Sequence, residues 1–161
     1  MPLRMHMRLN GNDTTLLKVF FDTATKCTWK SFTVFSGASG HKNKPEDTDK
    51  PNKGPIPKGR YYVIDRPTGG TRDWIRGNIV DYDGRGDWFA LFRIDNTIDD
   101  STTVNGVTRG NFRLHPGSRS AGCVTFVQVA QFKEVKKLLL ASETALIPGA
   151  SKKYYGILTV E

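Results

Sequence analysis

Apolar and polar positions along this chain change over in short runs, and most of the runs have the period of a strand. Leu16-Leu-Lys-Val-Phe-Phe21 and Ser31-Phe-Thr-Val-Phe-Ser36 are rich in aromatic and β-branched residues. Turn signals bound them, Asn-Gly-Asn-Asp over 10–13 and Ser-Gly-Ala-Ser-Gly over 36–40, so both predict strands. Arg60-Tyr-Tyr-Val-Ile-Asp65, Trp88-Phe-Ala-Leu-Phe-Arg-Ile94 and Tyr154-Tyr-Gly-Ile-Leu-Thr-Val160 repeat the type. One segment has a helical period. From about Val127 to Ser142, Phe132, Val135, Leu138 and Leu139 fall on one side and Lys133, Glu134, Lys136 and Lys137 on the other. Thr125 with Gln128 three residues later fits a capping box, which places the helix start two or three residues after Cys123.

Between the strands, residues 37–59 hold four of the eight prolines together with Lys, Asp, Asn and Gly, a composition that predicts a long loop. A loop of that length is either a lid over a site or an exposed insertion. A second turn-rich stretch covers 67–87. The pattern predicts a mainly β fold with one principal helix, in one domain over 1–161, without internal repeats.

Charge and cysteine content narrow the classes. The formal net charge of +8 divides into +3 over 1–41, +3 over 42–60, −3 over 61–100 and +5 over 101–161. The excess attracts acidic partners without choosing among nucleic acid, anionic wall polymers and carboxylate-bearing substrates. Two cysteines, Cys27 and Cys123, exclude a disulfide scaffold beyond one bridge. No apolar run approaches the ~20 residues of a membrane span. Met1 to Leu9 lacks the uninterrupted apolar core of a Sec signal peptide, so none is expected. Three histidines and two scattered cysteines do not make a structural zinc set, and neither a metal nor another cofactor is expected.

The segment richest in chemistry runs from Asn111 to Thr125. His115 ends an alternating run, Pro116-Gly117 turns the chain, and Gly122 permits close backbone approach just before Cys123. A cysteine leading into a helix start gains acidity from the free amides there, and a histidine within reach makes it a nucleophile at neutral pH. An eight-residue separation across a tight turn suits such a pair, with the amides of Gly122 and Cys123 available as an oxyanion hole. The same pattern is compatible with a small buried thiol and a surface histidine.

His-x-Gly-x-x-Ser-x-Gly-Cys, here His115, Gly117, Ser120, Gly122 and Cys123, resembles the signature of YkuD-type L,D-transpeptidases, and in its compact form that of the L,D-transpeptidase-like effectors of type VI secretion systems. Phe32-Thr-Val-Phe-Ser-Gly37 and Gly54-Pro-Ile-Pro-Lys-Gly-Arg-Tyr-Tyr-Val-Ile64 are similar to the strand, loop and strand upstream of that signature, so the resemblance covers about 31–140. It departs from the housekeeping enzymes at Ala121, where they have a second His, and at Thr125, where they commonly have Arg. The resemblance implies a YkuD-like β-sandwich or barrel and a cysteine-dependent L,D-carboxypeptidase or L,D-transpeptidase acting on peptidoglycan stem peptides. It implies Cys123 as nucleophile, His115 as base, Ser120 as an orienting or substrate-binding hydroxyl, and Arg119, Arg113, Ser36 and Gly37 facing substrate, with Arg109 a further candidate. It also implies a toxin made in the cytoplasm, secreted to act in a target cell's periplasm, with a secretion-system carrier and a cognate immunity protein, and neither a nucleic-acid partner nor a membrane span.

Two other readings use different residues. Cys27 as nucleophile with His115 downstream has the order of papain-like and NlpC-type peptidases, although Thr25 to Lys30 has no helical period. A basic β-domain presenting Trp29, Trp74 and Trp88 with nearby arginines would instead bind nucleic acid or wall polymer without chemistry.

Overall fold

Alternation decides which side of each strand is buried, and the buried sides close on one another. A computed structural model describes residues 1–23, 25–66 and 88–161; the turn-rich stretch 67–87, with Trp74, lies outside the described residues. The strands are β1 (Leu3–Met7), β2 (Thr15–Thr23), β3 (Lys26–Phe35), β4 (Gly59–Asp65), β5 (Phe89–Arg93), β6 (Ser101–Val104), β7 (Val107–Gly110), β8 (Arg113–Pro116), β9 (Val124–Phe126), β10 (Ala145–Leu146), β11 (Lys153–Tyr154) and β12 (Gly156–Val160). The helix α1 spans Val129–Ala141, and Pro45–Asp47 makes one 3-10 turn. Mainly β with one principal helix after Cys123 is therefore the observed class.

Eight strands close a barrel in the order β1-β12-β4-β5-β8-β9-β3-β2. Two neighbours are parallel, β1 with β12 and β8 with β9, and the other six pairs are antiparallel. An eight-stranded barrel is just wide enough for side chains to fill. Met5, Met7, Leu17, Val19, Phe32, Val34, Tyr61, Val63, Leu91, Leu114, Val124, Phe126 and Leu158 belong to one buried cluster, each contributing roughly 1.5–3 kcal/mol by leaving water. The helix adds Phe132, Val135 and Leu139 to that cluster, and Phe132 meets Phe126 edge-on at 5.5 Å.

Four differences from the sequence reading have local causes. Leu3-Arg-Met-His-Met7 alternates with period 2, Leu3, Met5 and Met7 pointing inward, and so is a strand where the sequence analysis assigns no element. Asn105 and Gly106 both have positive φ and form the two-residue turn of the β6–β7 hairpin, which the sequence reading had not assigned. Tyr154 to Val160 divides into β11 and β12 rather than forming one strand. The long loop 37–59 is also a built wall. Asn43 accepts the Ser36 amide at 2.9 Å through Oδ1, its own amide reaches the Ser36 carbonyl at 2.8 Å, and its Nδ2 reaches the Asn12 carbonyl at 2.7 Å.

Candidate active site

Parallel pairing of β8 with β9 puts His115 opposite Thr125 and Leu114 opposite Val124. By pleat alternation Leu114, Val124 and Phe126 turn into the barrel, and Arg113, His115, Cys123 and Thr125 share the other face. His115 in β8 and Cys123, one residue before β9, thus lie on one side of the parallel pair. One cavity of about 380 Å³ is lined by both, together with Phe35, Gly37, Ala38, Ser39, Lys42, Asn52, Ser118, Arg119, Ser120 and Ala121.

The extended chain at Thr125 corrects the expected capping box. Thr125 is a buried ladder partner of His115, and α1 begins only at Val129, where the N-cap Gln128 makes no side-chain cap bond. Cys123 therefore lies six residues before the helix, beyond the turn within which a helix terminus acidifies a thiol. Burial governs it instead. Cys123 is 3% exposed, and that desolvation pushes its thiol up to about 11, against the pull of the Arg113 amide and the Arg113 charge. The resting thiol donates weakly to the Asn111 carbonyl at 3.7 Å.

His115 is fully buried and stacks on the indole of Trp88, ring centroids 4.4 Å apart at 22°. Burial lowers its pKa to about 4, outweighing the Pro116 hydrogen bond that raises it. Nδ1 donates to the Pro116 carbonyl at 2.8 Å, the only direction compatible with a carbonyl acceptor. That bond fixes the neutral tautomer with the lone pair on Nε2. Nε2 faces Thr125 Oγ1 at 3.5 Å, and the same hydroxyl lies 3.5 Å from the Cys123 carbonyl. The resting pair is thus a neutral thiol and a neutral imidazole with its Nε2 lone pair free to accept.

Ser120 knots the loop between His115 and Cys123. Its Oγ donates to the Cys123 carbonyl at 2.7 Å and accepts from the Gly37 amide at 3.0 Å and the Gly122 amide at 3.2 Å. Ser36 is buried away from the cavity lining, donating to the Gly122 carbonyl at 3.1 Å and accepting from the Ile56 amide at 2.8 Å. Gly122 has φ +126°, and a Cβ there would come 2.7 Å from Arg109 Nη2 and 3.0 Å from Phe112. Only glycine meets both demands.

The three candidate arginines separate by environment. Arg113 is buried against Asp100, its two terminal nitrogens 2.7 and 2.6 Å from the two carboxylate oxygens. Arg109, 4% exposed, donates to the carbonyls of Thr48, Pro55 (3.2 Å), Gly54 (3.0 Å) and Ala121 (3.3 Å), which ties loop 37–59 to the loop before Cys123. Arg119 is the one that is exposed and lines the cavity.

Cys27 is exposed near the start of β3, whereas Phe35 at the other end of that strand lines the cavity. Eight residues of strand put them ~26 Å apart, so Cys27 does not reach His115. Trp88 is buried on His115 rather than displayed, while Trp29 is 57% exposed beside Phe20, its ladder partner on β2. Trp88, Lys42 and Asn52 are among the site residues that the motif does not indicate. Thr125 was visible two residues after the cysteine, where period 2 returns a side chain to the same face. Among the described residues, no group of three or more His, Cys, Asp or Glu side chains converges to hold a metal ion.

No curated protein and no solved structure gives a significant match to the sequence. The family model of the Tlde1 domain matches residues 30–150, a span that contains every residue lining the cavity and most of the chain. The chain therefore belongs to the Tlde1-domain family.

Proposed function

We propose that this chain is a type VI secretion effector that cleaves peptidoglycan stem peptides as a cysteine-dependent L,D-carboxypeptidase and exchanges their terminal D-residue as an L,D-transpeptidase. Family membership supports the effector and its wall target. The chemistry rests on one observation: Cys123 lines the same cavity as a histidine whose Nδ1 is tied to a carbonyl, leaving Nε2 as an acceptor.

In this reaction the Cys123 thiol turns from the Asn111 carbonyl and passes its proton to His115 Nε2. Sulfur then bonds to the carbonyl carbon at the L-centre of the third stem residue. The tetrahedral oxyanion meets the Cys123 amide, because the Gly122 amide already points at Ser120 Oγ. Collapse breaks the C–N bond, and the departing D-alanine amine takes the proton back from the imidazolium. A thioester to Cys123 remains. Water gives a tripeptide, a free D-amino acid gives an exchanged tetrapeptide, and a second stem gives a cross-link. Arg119 pairs with the carboxylate of the leaving D-residue. Stem peptides lie in the periplasm, so the effector acts there, and its producer needs a cognate immunity protein.

Purified tetrapeptide incubated with the wild type should lose D-alanine, and addition of D-methionine should yield the exchanged product by mass spectrometry. Cys123→Ala and His115→Ala should each abolish both products while Cys27→Ser changes neither. Full release by Cys123→Ala would overturn the mechanism.

A further inference from the structure

The barrel closes unevenly along β3. Its ladder with β2 runs from Lys26, opposite Thr23, to Val34, opposite Thr15, but β9 meets β3 only at Val34 and Phe35. Just beyond that meeting Thr33 finds local partners. Its amide donates to Gln131 Oε1 at 2.9 Å, and its carbonyl accepts the Val127 amide at 3.3 Å. Residues two apart in a strand turn their backbone groups to the same side. Ser31, Trp29 and Cys27 therefore point their amides and carbonyls away from β2, as Thr33 does, and among the described residues nothing pairs with them. All three residues are exposed.

Such an open edge is a template for one more strand, and its surroundings select which strand. Trp29 is displayed on it, and Val127 and Val129 stand exposed at its Thr33 end, so apolar side chains have surface to meet. Cations outnumber acids on both elements beside it. β3 carries Lys26 and Lys30 and no acid, and α1 carries Lys133, Lys136 and Lys137 against Glu134. That glutamate is already paired with Lys30. A second copy of this edge would bring its own Lys26 and Lys30 against these, an arrangement that like charge disfavours. A nucleic acid or an anionic glycan has no alternating N–H and C=O groups with which to continue the ladder. An acidic polypeptide has both the charge and the backbone.

We propose that the β3 edge from Cys27 to Ser31 is a docking surface for an acidic, extended segment of a partner protein, which adds to the barrel as one more strand. The segment bonds through its main chain to Cys27, Trp29 and Ser31, packs an apolar side chain on Trp29 and sets carboxylates against the lysines of β3 and α1. The cavity holding Cys123 is reached only at the far end of the same strand, at Phe35. The surface is thus independent of the proposed reaction.

The probe is a short capped peptide alternating Glu and Val, titrated into the full isotope-labelled chain and followed by NMR, with a Lys and Val peptide as comparator. The acidic peptide should shift the amides of Cys27, Trp29 and Ser31 and slow their exchange with solvent. The amides of Thr28 and Lys30 face β2 and should change little. Kd should be about 1 mM or lower at low salt and should rise severalfold at physiological ionic strength. Ser31→Pro removes an amide that bonds nothing within the fold, a change that an edge strand tolerates, and should weaken binding about tenfold. Trp29→Glu alters an exposed side chain and should weaken it to a similar extent by like charge, which keeps the test valid if the proline variant fails to fold. No shift at the three amides, equal shifts with the basic peptide, or unchanged binding in the folded variants overturns the proposal. A doubling of mass with concentration by light scattering, lost in Trp29→Glu, also overturns it, because the edge then takes a second copy.

Discussion

The histidine at the centre of the site should make the whole protein acid-sensitive in a way that one substitution removes. Native His115 takes a proton only near pH 4, because burial disfavours the imidazolium, whereas in the unfolded chain it titrates near its ordinary value of about 6.5. Between those values the unfolded state binds more protons, so stability rises with pH across this window and is lost as pH falls through it. Going from pH 7 to pH 4.5, this one group should remove roughly 2 kcal/mol. For a chain of this length that corresponds to roughly 4–8 °C in Tm. Thermal unfolding of the wild type and of His115→Gln, each at both pH values, isolates the term, since every other group titrates in both proteins and cancels in the difference. His115→Gln should lose less Tm on acidification by that amount, whatever its starting stability. The same depressed pKa places the acid limb of kcat/KM near pH 4 rather than 6.5. Equal acid losses in the two proteins, or an imidazole titration by NMR with a midpoint near 6.5, would refute the claim that burial controls this residue.

Other residues give independent checks. Iodoacetamide at pH 7 should label exposed Cys27 readily and Cys123 far more slowly, since a thiol raised to about 11 is almost wholly protonated there; peptide mapping showing fast labelling of Cys123 would contradict the neutral resting pair. Arg109→Lys keeps the charge but cannot reach all four carbonyls that the guanidinium serves, and urea denaturation should show a loss of roughly 3 kcal/mol. Gly122→Ala forces a Cβ onto Arg109 and Phe112 in a left-handed backbone, so it should lower stability by roughly 2 kcal/mol or more and suppress activity further than that loss explains. Ser120→Ala unties Gly37, Gly122 and Cys123 at once, and steady-state kinetics should show kcat reduced roughly tenfold to a hundredfold with a smaller change in KM.

The residues of the candidate site around His115 and Cys123 are legible in the sequence because each has a local reason for its type. His115 precedes Pro-Gly, Gly122 holds a conformation closed to other residues, and Ser120 knots the turn between them, so the spacing of the motif follows from one crossover between parallel strands. What could not be read was set by pairing across distance. The acidity of Cys123 depends on whether the chain beyond it coils or extends, and Thr125 extends because His115 stands beside it in the ladder, a partner that no local period reveals. Arg109, Arg113 and Arg119 are alike as letters. The first meets four carbonyls and the second Asp100, and only the third lines the cavity, because β7, β8 and the following loop deliver them to different partners. Lys42 carried no motif at all. It reaches the cavity because Asn43 pins its loop to Ser36 and Phe35 lies beneath its ammonium. Sequence patterning therefore brings His115 and Cys123 together, while the other side chains that share their cavity are set by contacts between segments far apart in the chain.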